Sequence, residues 1–294
     1  MILVAGATGV LGSEIVRRLR ERGESVRALV RESSAPEKIA ALQKAGAEIV
    51  RGDLKDAGTL RDACNGARAV ISTVTSITTA RDGDSFAATD ANGTRNLVDA
   101  VSACGGEQFV FVSFDTTKSP EGPLTAAKRE VEEHLKRSGL TYTILQPSLF
   151  MESWLGPMLF ADPAAGTAKV YGEGTHKLRY VAVADVAELA VQCIGNPAAR
   201  NAVIAFGGPD EISQREAVRI FEEEFGKPFE VIEIPAHALE AQWKSAENPT
   251  EKAFASLLLG LARGFDSGVG PPPKDFPMQL TSPHDFVRRM ARGG

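Results

Sequence analysis

Lys128 occupies a position at which the predicted helix is expected to carry an apolar side chain. In the stretch GPLTAAKREVEEHLKRSG, at about 100° per residue, Leu124, Val131 and Leu135 share one helical face. Lys128 lies in the middle of that face, whereas the neighbouring charged residues, Glu132 among them, are predicted to point elsewhere. A buried amine whose pKa is lowered can exchange protons near neutral pH. Lys128 therefore either extends out of the core to solvent or reaches into a site.

Three glycines follow the first apolar run at a spacing that suits phosphate binding. Gly6 and Gly9 lie between ILVA and the helical pattern VLGSEIVRRLRERG, and Gly12 lies in the first turn of that pattern. Such glycines permit a tight turn, a close approach of the backbone to a pyrophosphate, and packing of helix on strand. The alternative is an ordinary turn between a strand and a helix. The residues predicted to contact a dinucleotide here are Gly6, Ala7, Thr8, Gly9, Val10 and Leu11.

The end of the second strand indicates which dinucleotide binds. In ALVRESS, Arg31 comes first and Glu32 follows. Arginine at this position favours the 2′-phosphate of NADP(H), whereas an acidic residue favours the 2′-hydroxyl of NAD(H). The sequence therefore predicts NADP(H) over NAD(H). The alternative is a solvated Arg31, with Glu32 on the ribose.

Two later strand ends supply further candidate cofactor contacts. Asp53 and Leu54 follow the third strand, where a short polar residue can meet the adenine, although Asp53 could instead cap a helix that begins near Asp56. The fourth strand is followed by a segment predicted to lie along the ribose, because ligands bind at the carboxyl ends of parallel strands. The alternative is ordinary strand chemistry. This segment consists of Thr73, Val74 and Thr75.

The elements that must position these residues alternate along the chain. Strand-like and helix-like segments follow one another over residues 1–150, which predicts a Rossmann-type, doubly wound parallel sheet of the α/β class. Glycine and proline become frequent after Phe150, and a smaller substrate-covering domain is predicted over 151–294, with some segments returning to the sheet. Its expected features are strand-like runs KLRYVAV and NAVIAFGG, a loop GVGPPPKDFP, and helix caps at Asp185 and Ser213.

Composition narrows the class of partner. The net charge of −5 has intermixed signs, so no nucleic-acid partner is expected, and small molecules are the predicted ligands. The three scattered cysteines and four histidines lack metal-ligand spacing. No run approaches the roughly 20 apolar residues of a membrane span, and the N-terminus lacks signal-peptide features. A cytoplasmic location with reduced thiols is the resulting expectation.

With these motifs in order, the chain resembles the atypical short-chain dehydrogenase/reductases of the NmrA-like group, which includes isoflavone-reductase-like enzymes and NADPH-dependent quinone reductases. The resemblance covers nearly the whole chain and identifies no substrate. It is carried by VAGATGVLG, VRALVR, VRGDLKD, NGTRNLVDA, FVFVS, AAKREVEEHLKRSGLTYTILQPSLFME and the DVA at 185–187.

The resemblance implies roles for residues near the nicotinamide. Short-chain reductases generally carry YxxxK, whose tyrosine protonates the carbonyl oxygen, but Leu124 occupies that position here. Ser113 resembles the serine after the fifth strand and cannot replace the tyrosine unaided. In isoflavone-reductase-like enzymes the lysine works without the tyrosine, which implies Lys128 as the catalytic residue, or alternatively as a ribose anchor. Pro147, Ser148 and Phe150 are implied to lie beside the nicotinamide.

An apolar segment after the sixth strand suits a flat or hydrophobic substrate, although the same residues could form core. It comprises Phe150, Met151, Trp154, Met158 and Phe160. The resemblance implies an NADPH-dependent reductase of a small carbonyl, enone or quinone, with aromatic and quinone-like substrates among the candidates. The alternative is a non-catalytic NADP(H)-binding redox sensor, regulator or assembly factor, which would have a protein partner.

Overall fold

The computed structural model of the protein describes residues 1–77, 83–115, 121–264 and 268–293. Its strands are β1 (Ile2–Ala5), β2 (Val26–Val30), β3 (Glu48–Arg51), β4 (Ala69–Ser72), β5 (Gln108–Val112), β6 (Thr141–Pro147), β7 (Ala161–Asp162), β8 (Thr167–Tyr171), β9 (Lys177–Leu178), β10 (Ala202–Phe206), β11 (Ile212–Ser213) and β12 (Glu230–Ile234).

The strands are connected largely by helices. These are α1 (Val10–Glu21), α2 (Pro36–Lys44), α3 (Ala57–Cys64), a π-helix (Phe86–Gly93), α4 (Thr94–Ala103), α5 (Pro123–Arg137), α6 (Met151–Trp154), α7 (Val183–Gln192), a short 3₁₀ helix (Pro197–Ala199), α8 (Gln214–Phe225), α9 (Ala236–Ser245), α10 (Pro249–Ala262) and α11 (Pro283–Ala291).

Seven parallel strands form the central sheet, in the order β3-β2-β1-β4-β5-β6-β10. Every residue of β1 is buried, with Ile2 and Val4 in the core on one face and Leu3 and Ala5 in the core on the other. Helices α1, α2 and α7 cover the first face, and α3, α4 and α5 cover the second. Continuous apolar strands of this kind are stable only when helices cover both faces. The predicted doubly wound α/β fold is confirmed.

Segments beyond residue 150 contribute to this sheet. Strand β10 pairs with β6 at the sheet edge, so the run NAVIAFGG does form a strand. Helix α7 packs beside α1. Arg18 of α1 donates a hydrogen bond of 2.7 Å to Glu188 of α7, and this ion pair fastens the two helices together.

A second group of elements has a hydrophobic core of its own. Strands β7, β8 and β12 form a three-stranded sheet, and α8 supplies the buried aromatic ring of Phe221 to its core. Ser213 caps α8 through its side chain, which accepts from the Glu216 backbone at 3.1 Å, while Glu216 accepts from the Ser213 backbone at 2.7 Å. The predicted cap at Ser213 is therefore present as a full capping box.

Two sequence expectations in this part of the chain were wrong. Asp185 does not cap α7, because the cap position is Ala182 and the Asp185 carboxylate accepts instead from the backbone and hydroxyl of Thr281, at 2.8 and 3.1 Å. The run KLRYVAV is a strand only over Lys177–Leu178, because Val181 makes an isolated bridge to Phe150 and the chain then enters α7.

Candidate functional site

A cavity of about 560 Å³ runs along the carboxyl ends of the central strands. It crosses the point between β1 and β4 at which the strand order reverses, the usual ligand position in open α/β sheets. The side chain of Ala7 belongs to the core rather than to the cavity lining. The cavity brings together the other predicted site residues, namely Gly6, Thr8, Gly9, Val10, Leu11, Arg31, Asp53, Leu54, Thr73, Val74, Thr75, Ser113, Lys128, Pro147, Ser148 and Phe150.

The three glycines of the first turn differ in what they do. Gly6 has a φ of +79°, and a Cβ on Gly12 would lie 2.2 Å from the Gly6 carbonyl oxygen, so both are required by the fold itself. Gly9 has an ordinary φ of −79°, and a Cβ there would meet only the Gly6 oxygen, at 3.3 Å. Gly9 therefore leaves open the surface of the cavity at the start of α1. Helix α1 has no acidic residue in its first turn and no side-chain cap, which suits an approaching phosphate.

One end of the cavity holds a cluster of charges around Asp84. Arg31 donates to Asp84 Oδ2 at 2.6 Å, Lys55 forms an ion pair with Oδ1, and the hydroxyl of Thr89 donates to Oδ1 at 3.1 Å. The Asp84 side chain is only 2% exposed. Sequence reasoning missed Asp84 because no motif surrounds it and it comes from a segment more than fifty residues after Arg31. Because Arg31 is the residue predicted to bind the 2′-phosphate of the adenosine ribose, we call Arg31, Lys55 and Asp84 the adenosine-end cluster.

Residues next to this cluster bear on two alternatives from the sequence: Glu32 as a ribose contact and Asp53 as a helix cap. Glu32 forms an ion pair with Arg51 at 2.9 Å on the surface and does not line the cavity. Asp56 caps α3 by accepting from Gly58 at 2.9 Å, while Asp53 accepts from the Lys55 backbone at 2.9 Å. The cap is thus Asp56, and Asp53 is left facing the cavity.

Lys128 lies on the floor of the opposite end. The residue is only 5% exposed, so it does not extend out to solvent. Its Nζ donates to the Val74 and Val112 carbonyl oxygens at 2.9 and 3.4 Å, and lies 4.9 Å from the centre of the Phe111 ring. Burial lowers the pKa of Lys128, and the nearby carboxylates of Asp90 and Glu132 oppose that shift.

Glu132 is buried beside this lysine, contrary to the expectation that it points away from the apolar face. It lies one helical turn after Lys128, is 5% exposed, and accepts from Ser113 Oγ at 2.6 Å and from Gln146 Nε2 at 3.1 Å. Since the Ser113 proton is donated inward, its oxygen faces the cavity as an acceptor. The only sequence signal was the spacing of four from Lys128, which a run of surface charges obscured.

Asp90 forms a second buried pair of the same kind. Its Oδ2 accepts from the Ser76 hydroxyl at 2.6 Å and from the Ser76 backbone at 3.0 Å. Ser76, like Ser113, lines the cavity. Lys128 is therefore set between two serine–carboxylate pairs, and this arrangement could not be read from sequence because it joins the π-helix, α5 and the ends of two strands.

The wall beyond Lys128 is apolar. Met151 and Phe160, which were expected in it, are instead fully buried in the core beneath the small sheet, where they fix α6 and β7. Leu124, at the position of the usual tyrosine, lines the cavity. The wall is formed by Phe114, Leu149, Phe150, Trp154, Met158, Phe254, Leu257 and Leu261.

Helix α10 supplies the last three of these wall residues. It packs against α5 and β8. Sequence reasoning missed this contribution because α10 follows Lys128 by more than a hundred residues and its apolar face resembles ordinary core. No group of three metal-ligating side chains occurs in the described ranges. None of the helices in those ranges is both long and apolar enough to cross a membrane.

A doubly wound sheet with a glycine turn after its first strand and a cavity at its switch point defines a dinucleotide-binding α/β protein. The model of the NmrA-like family matches residues 1–257, and the chain belongs to that family.

Known proteins of similar sequence and structure have diverse described roles. The chain is 30% identical over 288 residues to the photosystem II assembly factor Ycf39 of Cyanophora paradoxa, covering 96% of this chain and 88% of that protein. It is 29% identical over 283 residues to the isoflavone reductase homolog IRL of Zea mays, covering 91% and 88%. The structure of the NADPH-dependent quinone oxidoreductase QOR2 of Escherichia coli, complexed with NADPH, matches with a TM-score of 0.79 at 23% identity, covering 99% of each chain.

Proposed function

We propose that the protein is an NADPH-dependent reductase of a small, apolar substrate that carries a carbonyl, enone or quinone group. One observation carries the proposal: a single cavity joins the glycine turn and Arg31 at one end to a buried lysine and an apolar wall at the other. Because the lining extends from Arg31 past the glycine turn to the apolar wall, the cavity suits an extended dinucleotide with a substrate beyond it. The relation to an isoflavone reductase homolog and to a quinone oxidoreductase supports the same class of reaction.

The residues of the cavity fit NADPH. The open surface at Gly9 and the start of α1 would receive the pyrophosphate, and Arg31 would receive the 2′-phosphate. Ser113 would accept a hydrogen bond from a ribose hydroxyl or from the carboxamide. NADPH, when bound, supplies the hydride and thereby two electrons.

Lys128 would complete the reduction of a carbonyl or quinone. As hydride reaches the acceptor carbon, the C=O electron pair moves onto oxygen, and Lys128 donates a proton to that oxygen. The lowered pKa of Lys128 favours this transfer because the donor is then a stronger acid. The two carbonyl oxygens that bind its ammonium, those of Val74 and Val112, hold Nζ at the cavity floor.

The wall supports the proposed substrate class. Its lining is aromatic and aliphatic, with Lys128 and the two serines as nearby polar groups, so a flat and uncharged molecule is favoured. A quinone or aromatic enone meets these requirements, because its ring would contact the side chains of Trp154 and Phe254 while its oxygen reaches Lys128.

A second candidate is a non-catalytic NADP(H)-binding regulator or assembly factor. The observation that favours it is Leu124, which is 7% exposed and packs in an apolar cluster with Phe86 and Ala127, where the usual reductases have a proton-donating tyrosine. Ycf39, a relative of this chain, is described as a photosystem II assembly factor.

Steady-state oxidation of NADPH with a panel of quinones, enones and aromatic ketones separates the two candidates. Turnover above about 1 s⁻¹ with any member supports the reductase. Tight NADPH binding by calorimetry without turnover of any member supports the regulator, and a protein that does not bind NADPH contradicts both.

A further inference from the structure

The adenosine-end cluster contains a carboxylate where a 2′-phosphate would bind. Asp84 lines the cavity together with Arg31, and its Oδ2 accepts from Arg31 at 2.6 Å. We propose that Asp84 competes with the 2′-phosphate for Arg31 and Lys55, and so limits how strongly the site discriminates NADPH from NADH. This inference rests on the proposed dinucleotide-binding function.

The carboxylate cannot easily leave the cluster. The Asp84 side chain is 2% exposed, while those of Arg31 and Lys55 are 30% and 31% exposed. A buried carboxylate deprived of its cations is strongly unfavourable, so Arg31 and Lys55 stay near Asp84 when a ligand binds. The 2′-phosphate must then share these cations with Asp84 instead of displacing it.

The local charge count indicates the direction of the effect. Lys55 Nζ also lies 3.6 Å from Asp53 Oδ2, so two cations face two carboxylates before any ligand binds. A phosphate brings two further negative charges to a cluster that is already neutral. Lys38 lines the cavity together with Arg31 and Asp84 and is a further cation in it, whereas Lys55 reaches the cluster from outside the lining.

A 2′-hydroxyl meets a different environment. A hydroxyl can donate to the Asp84 carboxylate, as the Thr89 hydroxyl does at 3.1 Å, without bringing charge. Asp84 therefore disfavours NADPH and is neutral or favourable toward NADH, while Arg31 favours NADPH. The observed pairing places these opposing determinants in direct contact.

Calorimetric titration of NADPH and NADH into Asp84→Asn tests the proposal. Removal of one like charge close to the phosphate is expected to tighten NADPH binding about tenfold, and to leave NADH unchanged or weaker. Glu32→Gln is the matched control: it removes an acidic charge from the neighbouring, exposed Glu32–Arg51 pair and should change both affinities less than about twofold. Unchanged or weaker NADPH binding by Asp84→Asn overturns the proposal.

A measurement on the unaltered protein guards against a variant that does not fold. Adenosine 2′,5′-bisphosphate and AMP differ at the 2′ position and need no substrate end to bind. The proposal expects the bisphosphate to bind less than about thirtyfold more tightly, because a strong charge-assisted contact, worth up to 3 kcal/mol and thus over a hundredfold, is partly cancelled. Discrimination above about thirtyfold overturns it.

These readouts are independent of turnover. An unaltered protein that binds neither dinucleotide overturns both this inference and the proposed function. One that binds NADPH, while Asp84→Asn shows no gain, overturns this inference alone.

Discussion

The two ends of the cavity hold charge in different ways. At the adenosine end, Arg31 and Lys55 are about a third exposed and pair directly with Asp84. At the end proposed for the substrate, which we call the substrate end, Lys128 is buried and donates to backbone carbonyls, while Glu132 accepts from neutral side chains. Partly exposed cations can share a buried carboxylate with an incoming ligand, whereas a fully buried charge is costly and must be fixed by hydrogen bonds. We therefore expect the adenosine end to control cofactor affinity and the substrate end to control protonation and turnover.

The largest expected effect is that of Lys128→Met on turnover. Removal of the proton donor should lower kcat by about 100- to 10,000-fold, with NADPH affinity changed less than about threefold if the two ends act separately. Stability should fall as well, because Asp90 and Glu132 lose their cation and two carbonyl oxygens lose a donor. Stopped-flow kinetics and calorimetry on the folded fraction check this prediction.

Lys136→Met is the control for that change. Lys136 is on the same helix but pairs with Glu133 at the surface, at 2.9 Å, so its removal should leave kcat unaltered. A Lys128→Met variant that loses NADPH affinity by about 1–2 kcal/mol, with kcat retained at saturation, would make Lys128 a ribose anchor and join the two ends functionally.

The glycine turn, between the two ends, provides the next largest effect. Gly9→Val should weaken NADPH binding about a hundredfold, since the side chain would stand between the backbone and the pyrophosphate and remove charge-assisted hydrogen bonds. The fold should persist, because a Cβ at Gly9 meets only one atom, at 3.3 Å. Calorimetry and thermal unfolding report the two quantities.

Whereas Gly9→Val should leave the fold intact and weaken NADPH binding, Gly12→Ala should destabilise the fold. Its Cβ would lie 2.2 Å from the Gly6 oxygen, so the variant should lose stability before any question of binding arises. Equal NADPH affinity in a folded Gly9→Val variant would mean that the turn serves the fold alone.

The smallest expected effect comes from Glu132→Gln. The pKa of Lys128 is lowered by burial, and Glu132 opposes that shift. Loss of its charge should lower the pKa of Lys128 further, because burial is then opposed by Asp90 alone. Because a lysine that donates a proton is inactivated as pH rises through its pKa, the alkaline limb of kcat should move to lower pH.

Glu133→Gln provides the comparison for the pH profile. It removes the charge of Glu133, which is the next residue along α5, is half exposed and pairs with Lys136. The alkaline limb of kcat should therefore stay at the parental pH. If Glu132 merely supports the fold, both variants would keep the parental profile and Glu132→Gln would differ only in unfolding temperature.

Local patterns sufficed to predict the sheet, the glycine turn and the inward orientation of Lys128. These features depend on residues close in sequence, such as the buried run of β1 and the three glycines that follow it. Ser213 was predicted correctly as a cap for the same reason, since its partner Glu216 is three residues away.

The misplaced residues depend on contacts that no local pattern encodes. Asp185 is a residue type that often caps helices, but its carboxylate accepts from Thr281, nearly a hundred residues later. Glu132 lies within a charged run, and its burial is decided by Ser113 and Gln146 on neighbouring strands. Asp84 was missed because its role depends on ion pairs with Arg31 and Lys55. These residues are distant in sequence and come together only in the folded chain.

The position of helix α10 allows the cavity wall to vary in sequence independently of the central sheet. It lies across α5 and supplies Phe254, Leu257 and Leu261 to the cavity wall without contributing to the central sheet. The match to the family model ends at residue 257, within this helix. Mutations along one face of α10 could therefore alter which molecules are accepted while the cofactor turn is inherited unchanged, and libraries for redesigned selectivity should begin at these three positions.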